Sequence, residues 1–429
     1  MFSHLTPTSP IASLLDPGAL DALSDVALGG LVADIISRPR QDPADSFILH
    51  APLELAARMA LLPHVRPDAR PLARQRLVSL ADGYSEKAPS SHADTVDPGD
   101  IAAAAHLLTH AVQASDLDAV DTAATTLGRH CSATELRLLL AEQIAPRLSA
   151  AAHGSIFLYQ LPRVSPRGEL TAELLRPLIR EVARYPDWSI GWIDEQRPIA
   201  TSPDEARGDD GGLFDAIASA PQLGIPGSTF IFPIVAQVDH AEIAGALLRQ
   251  PVTTADFRAG ARSIIRAAAW TMLLEPIDHA PYGWSHALTL PQAVLGIAGD
   301  IGDPARALAI AATQLIGFRA ALSERPLLPR FEQPDPGVDV ASELALGREC
   351  DPDRAASAAW RTPAPMRRPL MDTLVTNAAT AHDAHLVKYT LACLDAAADD
   401  PGCASLYLAA AARLAGVWAQ RGDPDDPLS

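Results

Sequence analysis

The chain carries thirteen histidines, and several stand in apolar, helix-forming surroundings. A buried imidazole must satisfy two ring nitrogens, so an apolar setting makes each one conspicuous. His50 lies in Phe47-Ile-Leu-His-Ala-Pro-Leu-Glu-Leu55, just ahead of what reads as a proline-started helix from Pro52. A lone histidine there reads more often as a core or capping residue than as a ligand. His106 and His110 lie in Ala102-Ala-Ala-Ala-His-Leu-Leu-Thr-His-Ala111, a spacing of four that puts both rings on one helix face. Helical metal sites use that spacing, although it also arises by chance. His286 precedes another apolar helix in Pro281-Tyr-Gly-Trp-Ser-His-Ala-Leu-Thr-Leu-Pro291, and Pro281 and Gly283 separate it from His279. An exposed or capping histidine is the competing reading.

A lysine joins the set. In Thr380-Ala-His-Asp-Ala-His-Leu-Val-Lys-Tyr-Thr-Leu-Ala-Cys393, His385 and Lys388 are three apart and share a helix face amid Leu386, Val387 and Leu391. An ammonium on an apolar face is costly, and burial lowers its pKa. A neutral buried amine can add carbon dioxide to give an anionic carboxylate able to bind a metal. The bland alternative is a lysine stem lying along the surface with its head in water.

Other chemistries lack their signatures. There is no Walker A or GxGxxG phosphate loop, no GxSxG elbow and no HExxH. Cys131, Cys350, Cys393 and Cys403 form no CxxC pair and read as small buried apolar residues. The formal net charge of −18 is spread along the chain, which argues against nucleic acid and anionic membrane surfaces as partners. No basic, apolar leader stands at the start and no uncharged apolar run is long enough to span a bilayer, so a cytoplasmic protein is expected.

The elements that must position these residues read as helices. Alanine and leucine dominate, β-branched residues are sparse, and apolar positions recur three and four apart. The pattern predicts helices over Pro52–Leu62, Pro71–Tyr84, Pro98–Gln113, Ala133–Leu148 and Leu170–Tyr185. In the second half it predicts them over Asp256–Leu274, Leu290–Ala298, Pro304–Leu322, Arg367–Ala379, Ala384–Ala396 and Ala404–Ala419. Ser155–Leu161 and Ser228–Val238 could be strands, but two such runs are too few for a real sheet. Lys87–Asp97, Ser202–Gly212 and Pro326–Pro336 read as flexible connections. The expectation is an all-α array forming one large helical domain over residues 1–429, with 1–45 as an N-terminal extension.

Taken in order, these segments resemble the questin oxidase-like family, helical oxygenases of aromatic polyketide metabolism. His50-Ala-Pro-Leu-Glu is similar to the family's histidine followed by a proline-containing helix start, and His106 to His110 to its HxxxH helix. His286-Ala-Leu-Thr289 is similar to its histidine–small–apolar–threonine segment. The most specific likeness is His385-Leu-Val-Lys-Tyr-Thr-Leu-Ala-Cys393. The resemblance runs from about His50 to Ala411 in short stretches. The family usually has more histidines near the first motif, whereas here Leu49 and Ala51 flank His50, and nothing between His130 and His279 aligns.

What the resemblance implies is oxidative opening of, or oxygen insertion into, an aromatic or quinone ring. Molecular oxygen is the oxidant, and non-haem Fe(II) is the centre. His50, His106, His286 and His385 would ligate it, with Lys388 as a carboxylated ligand. His110 would replace His106 or orient a ligand ring. Lys388 and His385 are the residues expected to carry catalysis. Trp270, Tyr282, Trp284 and Tyr389 are candidates for an aromatic pocket wall. NADPH as electron donor stays open, since no nucleotide fingerprint is visible, and so does the oligomeric state. Two other functions compete. His382-Asp383, with Asp395 or Asp399 downstream, suggests a helical His-Asp metal-dependent phosphohydrolase. The third possibility is a non-catalytic helical interaction protein.

Overall fold

The computed structural model describes residues 17–86, 100–164, 174–195, 212–223, 244, 257–332, 334–335 and 338–422. Ser228–Val238, Lys87–Asp97 and all of Ser202–Gly212 except Gly212 fall outside these ranges. Among the described residues every regular element is helical, apart from one isolated bridge between Arg147 and Ser189. The protein is thus an all-α, multi-helix array.

The principal helices are α1 (Asp25–Ile36), α2 (Ser46–Leu61), α3 (Arg70–Ser85), α4 (Ile101–Ala114) and α5 (Leu117–His130). Next come α6 (Ala133–Ile144), α7 (His153–Val164), α8 (Leu175–Arg184), α9 (Phe257–Leu274) and α10 (Ser285–Gly296). The last are α11 (Pro304–Leu322), α12 (Pro352–Arg361), α13 (Arg367–Thr380), α14 (Ala384–Asp399) and α15 (Ala404–Arg421). Short polar side chains start many of them. Asp45, Asp100, Asp116, Ser132, Asp303 and Asp383 each accept backbone N–H groups that the first helical turn leaves without partners.

Three differences from the sequence pattern matter for the site. The Asp45 cap starts α2 at Ser46, so Pro52 lies inside the helix and His50 in its second turn. A π-helical turn, Ala280–Trp284, leads into α10, so that helix starts at Ser285 and His286 is its second residue. Ser155–Leu161 is part of α7, not a strand. With no neighbouring strand to receive its ladder bonds, that segment satisfies its backbone as a helix. Pro326–Pro336 is irregular where described.

Four helices form a closed ring. α2 packs on α7 and on α14, and α10 packs on the same two from the other side. Buried apolar residues run continuously from Leu20 to Val417 through this ring and the helices around it. Two helices, Pro304–Leu322 and Pro401–Arg421, reach the length and mean hydropathy of a membrane span, but they lie 89% and 72% inside the fold.

Candidate metal centre

Each helix of the ring sends one imidazole inward. His50 comes from α2, His153 from α7, His286 from α10 and His385 from α14, and all four are buried. Ring centroids lie 4.6 Å apart for His50 and His153, 5.2 Å for His153 and His286, 5.0 Å for His286 and His385, and 4.4 Å for His385 and His50. Ligand atoms of His50, His153 and His286 all fall within 4.8 Å of one another.

The orientation of the rings is more telling than their proximity. In each, Nδ1 faces a carbonyl or carboxylate oxygen, joined at His50 by the Ser46 hydroxyl at 3.3 Å. His50 Nδ1 donates to the Ser46 carbonyl, His153 Nδ1 to the Ala150 carbonyl at 2.9 Å and His286 Nδ1 to the Tyr282 carbonyl at 2.5 Å. His385 Nδ1 donates to Asp383 Oδ2 at 3.3 Å. With the proton held on Nδ1, Nε2 keeps its lone pair free for a metal, as oxygens behind a ligand ring arrange in metal sites. The Nε2 atoms of His153 and His286 face each other at 3.3 Å. Two lone pairs at that distance repel unless a cation lies beside them. Two nitrogens bound cis to one metal, each at roughly 2.1 Å, stand about 3 Å apart.

A proton does not resolve the conflict well. Burial, then the charge of Lys388, hold His153 and His286 well below the ordinary imidazole range, and the same pair of causes acts on His50. Burial also lowers His385, against the opposing pull of Asp383. Lys388, one turn after His385, is fully enclosed, and burial brings its ammonium down to about 7. Lys388 Nζ and His50 Nε2 are both buried with no hydrogen-bond partner among the described residues. Such groups are costly to leave unmet, so the cluster has the donors of a ligand set and lacks an acceptor for them.

Asp383 serves two purposes. Its Oδ1 accepts from the backbone N–H of His385 and Leu386 at 2.8 and 3.0 Å, capping α14, while Oδ2 steers His385. Burial would push its carboxyl up, but the hydrogen bond to His385 and the two backbone N–H groups leave it below the usual range. Beside the cluster is a cavity of about 570 Å³ that reaches His50 and His385. Phe47, Leu80, Tyr282 and Trp418 supply its apolar wall, and Tyr282 stands edge-on to His385 at 4.9 Å.

The structure therefore brings together His50, His286, His385 and Lys388, but not His106 and His110. Those two are exposed on α4, their Nε2 atoms 3.1 Å apart, on a helix that packs against α5 and α8 outside the ring. The spacing of four placed them on one face correctly. It did not say which face, and α4 buries Ala104, Leu108, Ala111 and Val112 instead. The fourth imidazole is His153, which the sequence reading passed over. Its only signal was an apolar run, Ile156, Phe157, Leu158 and Leu161, whose mixture of β-branched and aromatic residues suggested a strand.

The comparisons match nothing. No family model, curated protein or solved structure corresponds to this chain.

Most of the remaining expected residues lie away from the histidines. Of the four aromatic candidates only Tyr282 lines the cavity. Trp284 is fully buried with its N–H on the Pro276 carbonyl at 3.2 Å, Trp270 packs on Trp360 at 5.4 Å between centroids, and Tyr389 is enclosed in the core. Asp395 is ion-paired with Arg163 at 2.7 Å. Asp399 lines a different cavity, so neither carboxylate stands with the histidines.

Proposed function

We propose that this protein is a non-haem iron-dependent oxygenase that uses molecular oxygen on an aromatic or quinone substrate. The observation that carries the reading is the four-helix ring of imidazoles, each with Nδ1 on a carbonyl or carboxylate oxygen and three of them with ligand atoms within 4.8 Å of one another, beside a buried lysine without a partner among the described residues. Neutral imidazoles with an added oxygen donor suit iron and leave room for further ligands. Bound Fe(II) supplies the electrons that allow ground-state dioxygen to react with a closed-shell ring.

The residues fit that role. His50, His153, His286 and His385 would hold the ion. Lys388, enclosed and with its ammonium brought down to about 7, would add carbon dioxide at Nζ in its neutral form, losing a proton and gaining an anionic oxygen donor. The Ser46, Ala150 and Tyr282 carbonyls and Asp383 keep the rings from rotating. His50 and His385 border the cavity, whereas His153 lies behind them, so substrate approaches from the α2–α14 side. Its volume, about 570 Å³, falls within the range of ligand pockets, and its aromatic wall favours a planar ring.

Elemental analysis tests the reading. Purified protein should hold about one iron per chain, His385→Ala should lose it, and intact mass or ¹³CO₂ labelling should find a carbamate at Lys388. Iron-free protein that still consumes oxygen with an aromatic substrate would sink the proposal.

A further inference from the structure

We infer that the substrate of this site is an aromatic carboxylate, bound with its rings toward His50 and His385 and its carboxylate toward Arg421. The inference rests on the oxygenase reading for the chemistry but not for the binding. Its starting point is a local reversal of charge. The chain has 34 lysines and arginines against 52 aspartates and glutamates, yet the cavity is lined by three arginines, Arg58, Arg76 and Arg421, against two carboxylates, Glu54 and Asp383.

Both carboxylates are already committed. Glu54 accepts from Arg58 at 2.6 Å, and Asp383 caps α14 and holds His385. Arg58 is committed too, since it also donates to the carbonyls of Ala379 and Ala381 at the end of α13. Arg76 donates to the Thr380 carbonyl at 2.7 Å. Arg421 differs. It ends α15, is exposed, and meets the Asp278 carbonyl at 3.5 Å, with no carboxylate partner among the described residues. A guanidinium so placed offers a fork that matches a carboxylate.

The aromatic wall sets direction. From His385 it passes to Tyr282, edge-on at 4.9 Å, and on to Trp418, which stands one turn before Arg421 on α15. Between the two ends stand Tyr282 and Trp418, edge to face at 6.3 Å, and Phe47 and Leu80 add to the apolar wall. The Trp418 indole N–H has no acceptor among the described residues. An aromatic acid satisfies all of these at once, since its ring fills the apolar section and its anion reaches the arginine end.

Calorimetry on the full chain as purified decides the matter, with 2-naphthoate and its neutral isostere 2-naphthamide as probes and iron measured on the same sample. Naphthoate should bind about tenfold more tightly, the preference should fall with added salt, and Arg421→Gln should bring the two within about twofold without changing iron content. Equal affinity for the two probes, no binding of naphthoate at millimolar ligand, or a preference that survives Arg421→Gln overturns the inference. The two readings fail separately: iron-free protein that prefers naphthoate removes the oxygenase alone, and iron-loaded protein without the preference removes the carboxylate alone.

Discussion

Replacing Lys388 with methionine should stabilise the metal-free protein while abolishing its iron site. In the unfolded chain the amine titrates at its ordinary 10.5, and enclosure in the helix ring brings it to about 7. The folded state therefore binds fewer protons than the unfolded one between those two values, and stability rises with pH across that window. Below about 7 the full penalty on the ammonium is present, close to 5 kcal/mol at about 1.36 kcal/mol per pH unit. At pH 7 roughly 4 kcal/mol of it remains, and at pH 9.5 between about 1 and 2 kcal/mol. Methionine has similar length and no charge, so Lys388→Met removes the penalty at every pH. The assay is urea unfolding of chelator-treated wild type and variant at both pH values, comparing the difference in stability so that other titrating groups cancel. The variant should be more stable by roughly 4 kcal/mol at pH 7, with the gap narrowing at pH 9.5. A variant less stable than wild type at pH 7, or a gap that ignores pH, would refute the claim that this amine is enclosed without a partner.

The other substitutions separate ligands from bystanders. His153→Ala should lose iron by elemental analysis, whereas His106→Ala and His110→Ala should retain it and shift stability by no more than about 0.5 kcal/mol. Asp383→Asn should lower iron affinity by about 10–100-fold in a metal titration. The amide still caps α14, but its N–H₂ faces His385 Nδ1 and drives that ring's proton to Nε2. Gly296→Ala should cost about 1–3 kcal/mol in thermal unfolding, because the new methyl meets the Tyr159 ring packed over that glycine.

The fold was largely legible because its signals are local. Alanine-rich runs and three–four apolar spacing mark α3, α4, α6, α11 and α13 to within a few residues. Prolines misled where they fall inside helices: Pro52 and Pro291 read as starts, but the Asp45 cap and the π-helical turn had begun those helices earlier. The site was legible in part for the same reason. His385 and Lys388 declare themselves through a shared apolar face, and His50 and His286 through apolar flanks. His153 does not, since what makes it a ligand candidate is the ring of helices, a long-range arrangement with no local trace. The His106–His110 pair shows the reverse error, because spacing reports a common face without reporting which side of the helix is buried.

The helix ring also fixes when the centre can exist. Its donors are drawn from places as distant in the chain as His50 and Lys388, and α14 closes the gap between α2 and α10. Three of the four inward imidazoles, on α2, α7 and α10, precede α14, and His385 arrives with Lys388 only on α14 itself. Completion of the donor set is thereby tied to completion of the tertiary structure, and a chain interrupted before α14 would lack both His385 and the enclosed amine of Lys388.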